Sequence, residues 1–222
     1  MANKIDRCTI LTINTPNESG LIGRQQELAV LTATLDDALA GRGQMVMLAG
    51  EPGIGKPRLA QELARNAQER GAQVLWGWCH EQAGAPPYWP WMQLIRAQVE
   101  TTDAGQLGQD MGPEASDIAQ ILPELTVVLD GLDQPPVLEP EQARFRLVFS
   151  ITTFLKTVSR SKPLVLILDD LHWADESSLL LLEFLAREIS SSRTMVVGTY
   201  RDREATGSRP LTQTLGSLVR ET

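Results

Sequence analysis

Residues 50–57 read Gly-Glu-Pro-Gly-Ile-Gly-Lys-Pro, and no other stretch narrows the fold as much. An apolar run, QMVMLAG at 44–50, precedes them and predicts a buried strand. Behind them Leu59, Ala60, Leu63, Ala64 and Ala67 recur at helical spacing, with Arg58, Glu62, Arg65 and Glu69 on the opposite side. Gly71 closes that predicted helix. A strand, a glycine-rich turn and an amphipathic helix form the frame in which G-x-x-x-x-G-K-[ST] wraps a triphosphate. Gly50, Gly53 and Gly55 allow the tight turn, with Glu51, Pro52 and Ile54 between them lending backbone N–H groups where they have one. Lys56 can reach β- and γ-phosphates, and the helix starting near Arg58 offers its positive dipole end.

The last position departs from the pattern. A serine or threonine there would offer a hydroxyl to Mg²⁺. Pro57 has no hydroxyl and no backbone N–H, and it disfavours helical dihedrals at Lys56. The helix itself tolerates proline in its first turn. The expectation is a phosphate site whose metal binding and hydrolysis are weakened.

Further strands are expected at 73–78 and 164–170, and a fourth at 194–200. The third, PLVLILDD, is apolar without alternation, as a central parallel strand covered on both faces would be. Helices are expected from near Trp91, over 140–159 through Phe145, Val148, Phe149, Thr152 and Leu155, over 176–189 with Asp175 as N-cap, and over 210–221. Alternating strands and helices imply an α/β fold with a parallel sheet between helical layers. Ligands on such sheets bind beyond the carboxyl ends of the strands, where 50–57, 169–170 and 201 all fall.

Asp169 ends the third strand in a position to hold Mg²⁺, directly or through water. Asp170 is placed to polarise an attacking water as general base. Arg201 follows the fourth strand and would point at the γ-phosphate. His172 reads as a packing or loop residue, and Trp76, Trp78, Trp89 and Trp91 as core and loop anchors.

The rest of the chain excludes other classes. The formal net charge is −8 and no basic groove is visible, which argues against direct nucleic-acid binding by this segment. No apolar stretch approaches the roughly 20 residues that cross a bilayer. The N-terminus is too polar for a secretory signal, so a cytoplasmic setting is expected. Cys8 and Cys79 make no disulfide framework, and Cys79-His80 reads as a structural strand end rather than a metal site. Residues 102–140 read as a loop-rich, solvated acidic insertion with one short helix around 114–122, since no Lys or Arg stands between Arg96 and Arg144.

Taken together, LIGRQQEL (21–28), GEPGIGKP (50–57), YWPW (88–91), LILDDLHWAD (166–175) and VVGTYRD (196–202) resemble the AAA-type ATPase domain of bacterial STAND regulators. These include LuxR-type large ATP-binding transcriptional regulators and the ATPase modules attached to adenylate cyclases. The resemblance covers residues 20–221 and leaves 1–19 as an N-terminal extension. It implies a P-loop NTPase three-layer sandwich that binds ATP and Mg²⁺ and works as a nucleotide-operated switch, self-associating or engaging regulator domains. It places Leu21, Ile22, Gly23 and Arg24 near the adenine and identifies Arg201 with a γ-phosphate-sensing arginine. The family carries threonine where this chain has Pro57. By resemblance the core of 20–222 also stops before its last strand and helical lid, which would leave the phosphate-loop strand at a sheet edge unless the β-prone segment 8–14 covers it. Two functions follow: an ATP-hydrolysing switch module of a signalling or transcriptional regulator, or a catalytically impaired nucleotide-binding or protein-interaction module.

Overall fold

The structure, a computed structural model, describes residues 2–5, 8–13, 24–81 and 84–220. Among the described residues six strands form one sheet: β1 (Ala2–Ile5), β2 (Cys8–Thr12), β3 (Gln44–Ala49), β4 (Gln73–Trp78), β5 (Leu164–Asp169) and β6 (Thr194–Tyr200). Their spatial order is β1-β2-β3-β6-β5-β4. Only β1 runs antiparallel, against β2, and the other neighbours pair in parallel. This is an α/β sandwich. Its central strands are apolar on both faces because both faces are covered.

Alternation along each strand divides the core in two. Val46, Leu48, Val165, Ile167, Met195 and Val197 pack with the helices α1 (Gln25–Leu39) and α2 (Lys56–Glu69). Met45, Met47, Leu164, Leu166, Leu168 and Val196 face the opposite layer. That layer holds α3 (Trp89–Thr101), the short helices α4 (Ala104–Met111), α5 (Ala115–Ile118) and α6 (Leu125–Val128), then α7 (Pro140–Ser161) and α8 (Glu176–Glu188). After β6 come α9 (Asp202–Gly207) and α10 (Arg209–Arg220), and α10 packs on α8. Trp91 is fully buried and its indole N–H donates to the Ser178 carbonyl at 3.0 Å, joining α3 to α8. Gly77 is required by close approach: a Cβ there would lie 2.3 Å from the Pro90 carbonyl oxygen.

The β-prone segment 8–14 does contribute a strand. Within it β2 lies parallel to β3, with Cys8 opposite Met45 and Thr12 opposite Ala49, so the phosphate-loop strand is not an edge. Ile13 N–H extends the ladder to the Ala49 carbonyl at 2.8 Å. Asn14 lies outside the described residues.

Three expectations are corrected. Residues 102–140 are about half helical: α5 lies in the short helix expected around 114–122, but α4 and α6 add to it, and Leu107, Met111, Ala115, Ile118, Leu122 and Leu125 are buried. Nor are its acids all solvated. Asp117 is buried, accepts both Arg146 Nε–H contacts at 2.8 Å and takes the Ser150 hydroxyl at 2.8 Å, while Arg96 pairs with Glu124 at 2.6 Å. Phe145 and Phe149 sit outside the apolar face of α7, which runs instead through Leu147, Val148, Ile151, Phe154, Leu155 and Val158. Phe145 meets Phe184 of α8 edge-on at 5.7 Å, a pairing across two helices that periodicity in one cannot show. Helices α1 and α9 fall where no element was expected.

Candidate functional site

Gly50 leaves β3 where a Cβ would meet the Ile13 carbonyl oxygen at 2.8 Å, so the loop begins against the end of β2. Gly53 and Gly55 take left-handed conformations, φ 77° and 98°, and open space surrounds the position of a Cβ at each. Gly55 is the N-cap of α2, and its carbonyl accepts the Leu59 N–H at 3.0 Å. Helix α2 begins at Lys56 although the proline that follows disfavours helical dihedrals there, and proline is tolerated in this first turn. Glu51, Pro52 and Arg58 are exposed on the loop and the first turn, while Ile54 is half-buried.

Lys56 is buried and folds back into its own loop. Its ammonium donates to the Gly50 carbonyl at 2.7 Å and the Glu51 carbonyl at 3.1 Å. Burial lowers its pKa, with Asp170, Asp202 and Asp169 opposing that fall. Arg24 braces the loop from behind. It is 8% exposed, donates to the Ile54 carbonyl at 3.0 Å and pairs with Glu27 at 3.0 Å. Its guanidinium is thus committed to the loop backbone. Leu21, Ile22 and Gly23 lie outside the described residues.

Pro57 is the second residue of α2 and is exposed. It lines a groove of about 510 Å³ together with Asp169, Gln61, Arg65 and the stacked pair Trp76 and Trp78, whose rings lie 6.0 Å apart. The position that would carry a hydroxyl therefore shares a groove with the candidate metal carboxylate. Trp78 is 47% exposed, so this tryptophan is not a core anchor.

Asp169 ends β5 and Asp170 starts the following turn. Thr199, fully buried in β6, donates its hydroxyl to Asp169 and accepts the Asp170 N–H at 3.0 Å. Asp170 has φ 59°, a conformation that non-glycine residues rarely adopt. The Thr199 contact and the Trp173 N–H on the Asp170 carbonyl at 2.9 Å hold it there. Such retained strain is concentrated at functional sites. Burial raises the Asp169 pKa, and the Thr199 hydrogen bond partly offsets this.

Arg201 leaves β6 beside the loop, since Tyr200 is in register with Ala49. It donates to Glu204 at 2.8 Å, and that bond raises its pKa. The other Glu204 oxygen lies 2.8 Å from His172 Nε2, and His172 Nδ1 lies 3.8 Å from Asp170. Arg203 Nε lies 3.0 Å from Glu51. Burial raises Asp202, with Lys56 opposing, and lowers His172. The structure thus brings the loop, Lys56, Asp169, Asp170 and Arg201 to one end of the sheet. Thr199 and Glu204 join them without having been singled out in the sequence. Thr199 is a polar residue in an apolar strand, two before Arg201 and so on its face. Glu204 is three after Arg201, the spacing of a helical ion pair.

Among the described residues no three or more His, Cys, Asp and Glu side chains cluster to hold a metal ion. Mg²⁺ asks less than that, since one or two carboxylates with waters and substrate phosphates suffice. Asp169 meets this requirement and Pro57 adds nothing to it. Cys79 and His80 follow β4 as strand-end residues. Burial pushes the Cys8 and Cys79 thiols up to about 12, helped at Cys79 by Asp175, Asp170 and Asp169. Both cysteines are free and buried. Native protein at pH 8 is accordingly expected to be inert to a chromogenic disulfide reagent, and denatured protein to titrate both thiols. Reaction of either in the native state would show that its cover opens.

No described helix is long and apolar enough to cross a membrane. The chain is similar to an uncharacterized protein of Rhizobium meliloti (strain 1021), at 28% identity over 199 residues. That match takes in 82% of this chain and 18% of the relative, so the chain spans under a fifth of the relative's length. Among solved structures it is similar to a chain of Drosophila ORC bound to DNA, with TM-score 0.43 and 12% identity, covering 86% of this chain and 87% of that one. Residues 20–197 match the AAA ATPase domain family. With the phosphate loop, the strand-end carboxylate and the parallel sheet already in place, the chain belongs to the AAA ATPase domain family.

Proposed function

We propose that this chain binds ATP in the loop of residues 50–57 and serves as the nucleotide-operated switch module of a bacterial signalling or transcriptional regulator of the STAND type. The observation that carries the reading is the convergence of Lys56, Asp169, Asp170 and Arg201 beyond the carboxyl ends of β3, β5 and β6. Loop N–H groups and the start of α2 receive the phosphates. Lys56 exchanges its two carbonyl acceptors for phosphate oxygens. Asp169 would hold Mg²⁺, which supplies charge neutralisation when bound. Asp170, fixed by Thr199, orients and deprotonates water as general base. Arg201 senses the γ-phosphate. The regulatory setting rests on the resemblance of LHWAD and GTYRD to that family.

Pro57 favours a second reading of the rate: a site that binds nucleotide and hydrolyses it slowly. The missing hydroxyl removes a second protein oxygen from the metal, and the missing N–H removes a phosphate donor. Calorimetric titration with ATP, with and without Mg²⁺, tests both readings. Binding with little metal dependence is expected. Absence of any ATP binding would overturn the site itself, and strong Mg²⁺-dependent binding would overturn the effect assigned to Pro57.

A further inference from the structure

We propose that Glu204 is a positioning residue that holds Arg201 in reserve, so that a triphosphate, and not a diphosphate, must break the Arg201–Glu204 pair when it binds. The inference rests on the reading of residues 50–57 as an ATP site. Arg201 Nη1 and Glu204 Oε1 lie 2.8 Å apart, with both side chains about a third exposed. That exposure makes the pair breakable, since partly solvated ion pairs contribute little net stability. Glu204 also has a neighbour on its other side, although the two make no hydrogen bond. Its second oxygen faces His172 Nε2 at 2.8 Å, and the imidazole is fully buried. The other imidazole nitrogen faces Asp170 at 3.8 Å. Arg203, on the same helix as Glu204, meets Glu51 of the phosphate loop at 3.0 Å in an exposed pair that contributes little. The Glu204 carboxylate thus lies between the arginine and the buried imidazole whose other nitrogen faces the candidate base.

A diphosphate cradled by the loop and Lys56 satisfies those groups and leaves Arg201 with Glu204. A third phosphoryl group adds charged oxygens farther from the loop, in the space between the ends of β3 and β6 where Arg201 emerges. A guanidinium offered several anionic oxygens in a fork geometry exchanges a single carboxylate contact for them. Once Arg201 leaves, Glu204 faces only His172, and α9 loses one of its connections to the site. Occupancy by ATP is thereby coupled to the position of α9, while occupancy by ADP is not.

The test is a double-mutant cycle read as two affinities. ATP and ADP are titrated calorimetrically, with Mg²⁺, into the full chain and into the variants Glu204→Gln, Arg201→Ala and the double variant. Glu204→Gln is expected to raise ATP affinity about 3- to 5-fold, the upper end of the scale of a partly exposed ion pair, and to leave ADP affinity within about twofold. In the Arg201→Ala background the same substitution is expected to change neither. An equal gain for both nucleotides, or a gain that persists without Arg201, overturns the proposal, because it would reflect only the removal of a negative charge. Glu204→Asp, which keeps the charge and shortens the reach, gives a second measurement should the glutamine variant fold poorly. It is expected to move the ATP to ADP ratio in the same direction, and an unchanged ratio counts against the proposal. If the parent chain binds neither nucleotide, the ATP-site reading fails first and this inference falls with it.

Discussion

Replacing Pro57 with threonine is expected to raise steady-state phosphate release by roughly 10²-fold or more, and to make ATP binding depend on Mg²⁺. The substitution returns two things at one position. It supplies a hydroxyl on the side of α2 that lines the groove shared with Asp169. It also restores a backbone N–H at the second residue of the helix, where N–H groups have no partner within the helix and are available to phosphate. Each contributes a few kcal/mol when charge develops in the transition state, and each factor of ten in rate needs about 1.4 kcal/mol. The fold should change little, because α2 already starts at Lys56 under the left-handed Gly55 cap. Paired measurements of phosphate release and of ATP affinity with and without Mg²⁺ check this. A variant that gains metal-dependent binding but no turnover would locate the remaining block beyond Pro57, at Asp170 or Arg201. A variant unchanged in both would show that Pro57 was not the obstacle.

Lys56→Ala is expected to weaken ATP and ADP binding alike, by roughly 10²-fold or more, since hydrogen bonds to charged groups contribute about 1.5–3 kcal/mol each. The structure explains why the loss is shared. The ammonium is already inside the loop, donating to Gly50 and Glu51, so phosphate held by the loop meets it whether or not a third phosphoryl group follows. Asp169, Asp170 and Asp202 surround the same space. Without the lysine a polyphosphate would face these carboxylates with little compensation, and the repulsion adds to the lost bonds. Calorimetry on the variant gives the result directly. Affinities within about threefold of the parent would place the phosphates elsewhere. The contrast with Glu204→Gln is useful, because that substitution is expected to separate the two nucleotides and this one to move them together.

The phosphate loop was legible because everything it needs is contiguous. Glycines that turn the chain, a lysine and an amphipathic helix lie within about two dozen residues, and the apolar run before them needs only to be buried. LVLILDD was legible for a similar reason: a strand covered on both faces leaves its acids at one end. Residues 102–140 were legible only around 114–122, where α5 lies. Elsewhere their helices are short, four residues at α6, and so fall below the window in which a 3.6-residue period can be recognised. Their apolar residues find the core through packing on α7 rather than through a pattern of their own. The two exposed phenylalanines of α7 fit the helical period well enough, but which part of a wide apolar stripe faces inward depends on the neighbouring helix.

The sequence by itself determined that the chain carries a phosphate-binding loop on a parallel sheet, and that one residue of that loop, Pro57, lacks the oxygen and the N–H the pattern requires. Those are local properties of covalent chemistry and spacing. Only the tertiary structure decided that β2 covers the phosphate-loop strand, that Thr199 spans Asp169 and Asp170, and that Glu204 grips Arg201 while facing His172. His172 and Glu204 are separated by a helix and a strand in sequence, and they meet because β5 and β6 pair in parallel and deliver their carboxyl ends to the same place. Which charges end up paired there is set by strand register and burial, and neither can be read from residue types along a line.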